Sequence, residues 1–229
     1  NRLLRILYTL YILLNIKYDF LFALQKDSLK VCLFVRLVKN IKLLYFDRTN
    51  QLYYENKFQK YWMRFIYFLL IKFSDKIFVN SEHLYRYLRL NLKSNKIYRI
   101  FNPTINNDLK KYYKNKVTKN SLIKIIIAGR NVKQKNFKYI FENLSFIEKN
   151  FNNFEIDIFT DNLSNKINHP KIKFFEFDEN IISNLNKYDI MIFPSLFEGF
   201  PNFLLEASYL GLTVIHSNFK FGACEFNKL

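Results

Sequence analysis

Glycine and proline are scarce in this chain, four of each in 229 residues. A turn-rich all-β fold needs many more of both, so long regular elements are expected instead. Cysteine is nearly absent. Cys32 and Cys224 lie far apart and neither has a partner at metal-ligand spacing, so they read as reduced, intracellular thiols. The three histidines, His83, His169 and His216, form no H-x-x-x-H pair, which argues against structural zinc. No apolar run is long enough to span a bilayer: residues 3–14 are interrupted by Arg5, and residues 61–72 are as short. Acidic residues are sparse in one part of the chain. Residues 1–120 carry 24 Lys and Arg against 7 Asp and Glu, whereas residues 121–229 carry 12 against 12. The whole formal charge of +17 therefore lies in the first part. Such a one-sided excess suits an anionic partner (a membrane surface, a lipid phosphate or nucleic acid), and it also suits plain solubility.

Half of the residues are hydrophobic, enough for a packed core and too many for global disorder. Apolar segments alternate between strand and helix character. Helix is expected at 2–16, strand at 18–24, helix at 28–39, strand at 41–46, helix at 54–73, strand at 76–80, helix at 82–92 and strand at 96–101. Ser81 is the expected N-cap of the helix that follows it. Residues 61–72 read as a core helix covering a sheet; their aromatic side chains and flanking Lys57, Lys60, Arg64 and Lys72 also suit a membrane interface. The basic, weakly apolar stretch 108–120 reads as a linker between a domain at 1–107 and a second at 121–229. In the second, strands are expected at 122–128, 154–159, 172–177, 189–193 and 212–216, with helices at 136–150, 179–187 and 201–210. This alternation implies parallel sheets with helices on both faces. The chain opens at Asn1 inside a helical pattern and stops at Leu229 just after Glu225, so both domains are read as incomplete.

The segment 193–207 is the most informative. A buried strand, Ile190-Met191-Ile192-Phe193, runs into Glu198-Gly199-Phe200-Pro201 and then a short helix containing Glu206. Pro201 suits the first helical position, and Gly211 suits the helix stop. The N–H groups of Gly199, Phe200, Asn202 and Phe203 are expected to face outward beyond the strand and form an anion site. In a second loop, Arg130 and Lys135 follow the strand ending at Ala128. Two cations at a helix entrance suit a diphosphate, because they stabilise the charge that grows as it leaves. Glu155 and Asp157 alternate with apolar residues along a strand, so they do not read as a metal-binding D-x-D pair, and no metal ion is expected.

Glu198 and Glu206 at this spacing resemble the E-x7-E signature of glycosyltransferase family 4, the retaining sugar transferases with the GT-B fold. Residues 122–130 followed by Lys135-Asn136 look like that family's donor loop. Asp75 to Ser81, Ile97 to Pro103 and Gly211 to Ile215 are similar to further strands of the family, with Thr213 in place of the usual proline. The family's glycine-rich turn after the second strand of this domain is not apparent; Thr160-Asp161-Asn162 stands there instead. Glu225 resembles a further family glutamate. The resemblance spans about residues 75–225. It implies an α/β GT-B architecture of two Rossmann-like domains facing a cleft. It also implies transfer of a hexosyl or N-acetylhexosaminyl group from a nucleotide diphosphate sugar, a UDP-sugar being the first choice, with retention at the anomeric carbon. Arg130 and Lys135 would contact the diphosphate, Glu206 the ribose hydroxyls, and Glu198 the sugar as the catalytic residue. Gly199, Phe200 and Asn202 would hold sugar hydroxyls or phosphate. A glycan or lipid-linked saccharide acceptor is expected, with a cytoplasmic location at the inner membrane face and no nucleic-acid partner. Asp47-Arg48-Thr49-Asn50 reads first as an ordinary turn and second as an acceptor contact, and His83 as structural. The alternatives are a GT-B sugar-nucleotide epimerase, which shares the fold without this motif set, and a non-catalytic protein binding through its basic half.

Overall fold

The computed structural model describes residues 2–24, 26–47, 57–104, 107–113, 122–163, 167–178 and 180–218. The chain divides into two units, Asn1–Phe101 and Asn102–Leu229.

The first unit runs α1 (Arg2–Asn15), β1 (Phe20–Ala23), α2 (Lys26–Val38), β2 (Lys42–Asp47), α3 (Lys57–Phe73), β3 (Lys76–Val79), α4 (Glu82–Leu92) and β4 (Ile97–Arg99). Its strands are parallel and lie in the order β1-β2-β3-β4. Ser81 caps α4 as expected, its Oγ accepting from the Leu84 N–H at 3.2 Å. Lys93, in the left-handed region at φ 45°, ends that helix.

Among the described residues of this unit, the helices lie on one face of the sheet rather than on both. Because the strands follow one another in one direction and such crossovers are right-handed, α2, α3 and α4 all fall on the same side of the sheet. Burial agrees: Leu21, Ala23, Leu43, Tyr45, Ile77, Val79 and Ile97 share a single core with side chains of those helices, and Leu10 and Leu13 of α1 pack against it. The alternate residues Phe20, Phe22 and Tyr98 are exposed. Phe78 stacks between Phe46 and Tyr98 on that second face, with ring centroids 6.2 and 5.8 Å away.

The second unit runs α5 (Asn107–Tyr112), β5 (Ile123–Ala128), α6 (Phe137–Glu142), α7 (Leu144–Asn150), β6 (Phe154–Thr160), β7 (Ile172–Glu176), α8 (Ile181–Asn184), β8 (Ile190–Phe193), α9 (Asn202–Tyr209) and β9 (Thr213–His216). Its five parallel strands are ordered β7-β6-β5-β8-β9. Here both faces are covered. On β5, Ile126 and Ala128 pack towards α8 and α9, while Ile125 and Ile127 pack towards α6 and α7. The helix expected over 136–150 is divided at Asn143 into α6 and α7. The stretch read as a linker from 108 begins instead as α5, whose Leu109 is buried in this unit's core; residues 114–120 lie outside the described residues.

The strand order reverses between β5 and β8. Open parallel sheets bind ligands outside the carboxyl ends of their strands at such a switch point. The two loops singled out from the sequence both leave the sheet there.

Candidate active site

The loop after β5 starts at Gly129, whose N–H donates to Phe159 O at 3.0 Å. A Cβ at Gly129 would stand 3.1 Å from Cδ and Cε of Lys135, closer than ordinary packing allows. The missing side chain thus lets Lys135 lie back across the strand end. A turn of 3-10 helix over Lys133–Lys135 and a left-handed Asn136, at φ 53°, then reverse the chain into α6. Lys135 Nζ reaches Glu198 Oε1 at 2.8 Å and lies 4.9 Å from the centre of the Phe193 ring. Both partners of this ion pair are largely buried, at 17% and 12% side-chain exposure.

The loop after β8 is tied to the first loop by three further hydrogen bonds. Gln134 Nε2 donates to Phe197 O at 2.8 Å, the Leu196 N–H donates to Gln134 O at 2.8 Å, and Asn136 Nδ2 donates to Pro194 O at 3.2 Å. Ser217, following β9, donates from Oγ to Ser195 O. Two loops that are 60 residues apart in sequence are thereby held as one rim.

A cavity of about 560 Å³ opens beside this rim, within the second unit. It brings together Arg130, Lys135, Glu198, Phe200, Asn202 and Glu206. Gly199 is not among its lining residues. Arg130 is exposed, and its guanidinium has no ion pair among the described residues. The Glu206 carboxylate likewise has no hydrogen-bond or ion-pair partner there, although it is partly buried, and burial raises its pKa above the usual carboxylate value.

Two local expectations change, and the helix itself places Glu206. Pro201 stands at the N-cap rather than the first helical position, and α9 starts at Asn202. The Asn202 N–H donates to Phe200 O at 3.0 Å and its side chain accepts from Asn102 Nδ2 at 2.9 Å, so it contributes no free amide to an anion site. Glu206 is the fifth residue of an eight-residue helix and its carbonyl already accepts the C-cap N–H of Leu210. Compensation of a helix dipole, which acts in the first turn, does not account for a carboxylate at that place.

Phe203, expected at the anion site, also lines the cavity, together with residues to which the sequence assigned no role: Gln134, Asp161 and an apolar wall that includes Phe177 and Ile181. Asp161 Oδ1 accepts from the Asn131 N–H at 2.7 Å and so braces the Arg130 loop. Its place just past the end of β6 was the available signal; nothing local marked Phe177 or Ile181. Asp157 is occupied by Tyr188, whose O–H donates to it at 2.8 Å, and burial together with that carboxylate pushes the phenol well above its ordinary pKa. Glu155 pairs with Lys173 at 3.3 Å. Both roles are structural. In the first unit, Asp47 ends β2 almost wholly buried and accepts from the Tyr67 O–H, which makes it an anchor for α3. Burial lowers the pKa of His83. Arg48, Thr49 and Asn50, and likewise Cys224 and Glu225, lie outside the described residues.

Among the described residues, the rim thus offers a compensated cation, an open cation and an unpartnered carboxylate around a part-apolar cavity at the switch point. Residues 123–228 match the family model described as Glycosyl transferases group 1. The fold is that of the GT-B glycosyltransferases. TarM superposes with a TM-score of 0.79 at 15% identity, over 96% of this chain and 46% of TarM. HepE from Anabaena, solved with UDP-glucose, gives 0.75 at 14% identity, over 96% of this chain and 64% of HepE. Sucrose-phosphate synthase from Thermosynechococcus elongatus gives 0.72 at 15% identity, over 93% and 58%. The chain spans less than two thirds of the length of each of these proteins. No curated protein matches the chain.

Proposed function

We propose that this chain is the donor-binding and part of the acceptor-binding portion of a family 4 glycosyltransferase. It moves a sugar with retention from a nucleotide diphosphate sugar, a UDP-sugar first, to a glycan or lipid-linked saccharide. One observation carries this reading: Arg130, with no ion pair among the described residues, and a partly buried Glu206, with no side-chain partner among them, line the same cavity at the switch point of the second sheet. A group that leaves Arg130 open and a carboxylate desolvated is incomplete without a ligand that is anionic at one part and rich in donors at another. A nucleoside diphosphate has that pattern. Its phosphates would meet Arg130 and Lys135, its ribose diol would donate to Glu206, and the apolar wall near Phe177 and Ile181 would cover the flat base. Glu198, held 2.8 Å from Lys135, would lie between phosphate and sugar. Among the structural neighbours, Anabaena HepE was solved with UDP and glucose, and an S. aureus TarM variant with UDP and α-GlcNAc-glycerol. These complexes support the choice of donor class.

The chemistry follows from the charges. Cleavage of the bond between the sugar carbon and the phosphate oxygen leaves one further negative charge on a diphosphate that already carries two. Preorganised cations in a partly dry site stabilise it without reorganisation. Glu198 screens Lys135 until the diphosphate arrives. The test is thermal stabilisation and calorimetry with UDP, GDP and single-stranded nucleic acid. Saturation with UDP at 100 times its Kd should stabilise the fold by about 2.7 kcal/mol. Stabilisation by nucleic acid alone would overturn the reading in favour of a basic binding protein.

A further inference from the structure

The first sheet ends at β4, and among the described residues no strand lies beyond it. Lys96 O accepts from the Ile77 N–H at 2.8 Å, and the Ile100 N–H donates to Val79 O at 2.9 Å, so these groups face β3. Backbone groups alternate along a strand, which turns the N–H and C=O of Ile97 and Arg99 away from the sheet. A groove of about 510 Å³ lies along this edge. One wall is the stripe Glu82, Tyr85 and Arg89 of α4, at i, i+3 and i+7; the other is β4 itself, with Asn95 before it. Ile97 packs into the core on the helix side, Arg99 pairs with Glu82 on that side, and Tyr98 packs against Phe78 on the opposite face. A groove that touches all three therefore follows the backbone edge. Such edges are commonly guarded by a lysine. Here Lys96 is turned aside, its Nζ donating to Ile71 O and Ser74 O, each at 3.0 Å. Arg89 Nη1 donates to Ser94 O at 3.0 Å and to Asn95 Oδ1 at 3.1 Å, while its Nε and Nη2 donate to no group among the described residues. Glu82 is shared by Arg86 and Arg99, so the groove keeps a positive excess.

We propose that this edge is a docking site for an extended acidic protein segment, which adds to β4 as a further strand. The outward N–H and C=O groups of Ile97 and Arg99 supply the main-chain hydrogen bonds of such an addition. Arg89 stands beside Asn95 at the start of the strand, and Arg99 stands at its end. Alternate side chains of an added strand share one face, so a segment with Glu or Asp at alternate positions presents carboxylates to both guanidiniums. A small anion would engage one guanidinium and leave the edge groups unused. An anionic glycan would likewise form no ladder with Ile97 and Arg99. The charge complementarity and the open ladder together select the acidic segment. This inference rests on the first unit alone and stands whether or not the second unit binds a nucleoside diphosphate.

The probe is a short blocked peptide that alternates Glu and Val and carries a fluorophore. It is titrated into the full chain while anisotropy and amide hydrogen exchange are followed. Saturable binding, weakening by salt, and slowed exchange at the Ile97 and Arg99 N–H groups are expected. The same peptide with Lys in place of Glu should bind at least about tenfold more weakly. So should the Glu peptide methylated at alternate backbone nitrogens, which tests the edge with the protein unaltered. Arg89→Gln should weaken binding of the Glu peptide about tenfold, the loss of one charge-assisted contact. Arg89 also holds the turn at Ser94, so the melting temperature of that variant is measured alongside. No binding of the Glu peptide, equal binding of the Lys or methylated peptide, or binding without slowed exchange at Ile97 and Arg99 would overturn the proposal. Displacement of the peptide by oligogalacturonate at comparable concentration would overturn it in favour of an anionic glycan site. Slow exchange at the same two amides in the free chain, coupled to dimers in sedimentation, would overturn it in favour of edge pairing between two copies.

Discussion

The two units are assembled from the same repeating strand and helix, yet they differ in how the sheet is covered and where the charge lies. In the second unit the order β7-β6-β5-β8-β9 turns back on itself, so helices fall on both faces and β5 is buried on both. In the first unit the order β1-β2-β3-β4 advances one way, so the helices share one face and Phe20 and Phe22 stand exposed on the other. The reversal has a second consequence. It opens a crevice between β5 and β8 into which two loops project, and that crevice holds the proposed donor site. The first unit lacks a reversal among its described strands and instead carries the basic, aromatic helices. Topology thus places the proposed ligand site in the unit whose strand order reverses.

The largest expected difference between the units is in stability. Ile126 is fully buried in the central strand β5, so Ile126→Ala should cost about 2–5 kcal/mol in denaturant unfolding. Phe22 is 57% exposed on β1, and Phe22→Ser should change stability by less than about 0.5 kcal/mol. Comparable losses at the two positions would mean that the second face of the first sheet is covered after all.

A slightly smaller effect is expected at the rim. Arg130→Ala should weaken UDP binding by about 1.5–3 kcal/mol, the worth of a charge-assisted contact, while leaving melting unchanged because Arg130 holds nothing else in place. Calorimetry decides it. Unaltered affinity would remove the guanidinium from the donor site.

Glu198→Gln should have effects of opposite sign on the free and bound forms. Without its counter-charge, largely buried Lys135 destabilises the unliganded protein by about 1–3 kcal/mol. The same freed charge should tighten the binding of UDP. In the complete enzyme, turnover should fall although nucleotide affinity does not, as expected for a group beside the reacting bond. Weaker UDP binding by Glu198→Gln would show that the carboxylate contacts the nucleotide rather than screening Lys135.

The smallest effect concerns pH. Burial raises the Glu206 carboxyl above its unfolded value, so the protonated form favours the fold. That contribution is fully present below the unfolded pKa and is lost as pH rises through the folded pKa. Glu206→Gln keeps the neutral form at every pH. It should therefore melt above the parent at neutral pH and coincide with it in acid, while binding UDP more weakly at neutral pH. Melting curves from pH 3 to 8, a span that brackets the about 4.3 of a free glutamate, provide the check. A variant less stable than the parent at neutral pH would show that the ionised carboxylate has a partner in the fold. A carboxylate that costs stability and gains affinity is the usual mark of a site kept for its ligand.

Much of this was legible because the strands are short apolar runs between helices with clear period. The strands of both units lie where the hydrophobic pattern put them, to within a residue or two at most ends. The cations and carboxylates of the second unit were legible because each follows a strand end. What local pattern did not carry was contact at a distance. Gln134 carries no motif, yet it bridges to Phe197 across 63 residues. Asn202 carries no signal of its partner either, yet its side chain accepts from Asn102, 100 residues earlier. Residues 108–113 looked like a linker because they are basic, but a single buried Leu109 is enough to dock α5.

By itself the sequence determined the α/β class, the position of the strands, the charge imbalance and the two loops that matter, because periodicity, turn residues and charge are local properties. Only the tertiary structure decided which faces are covered, that Lys135 is paired with Glu198 while Arg130 and Glu206 have no ion pair among the described residues, and that the rings of α3 face outward. Each of these depends on strand order, and strand order is a choice among non-local pairings that no local stretch of residues specifies.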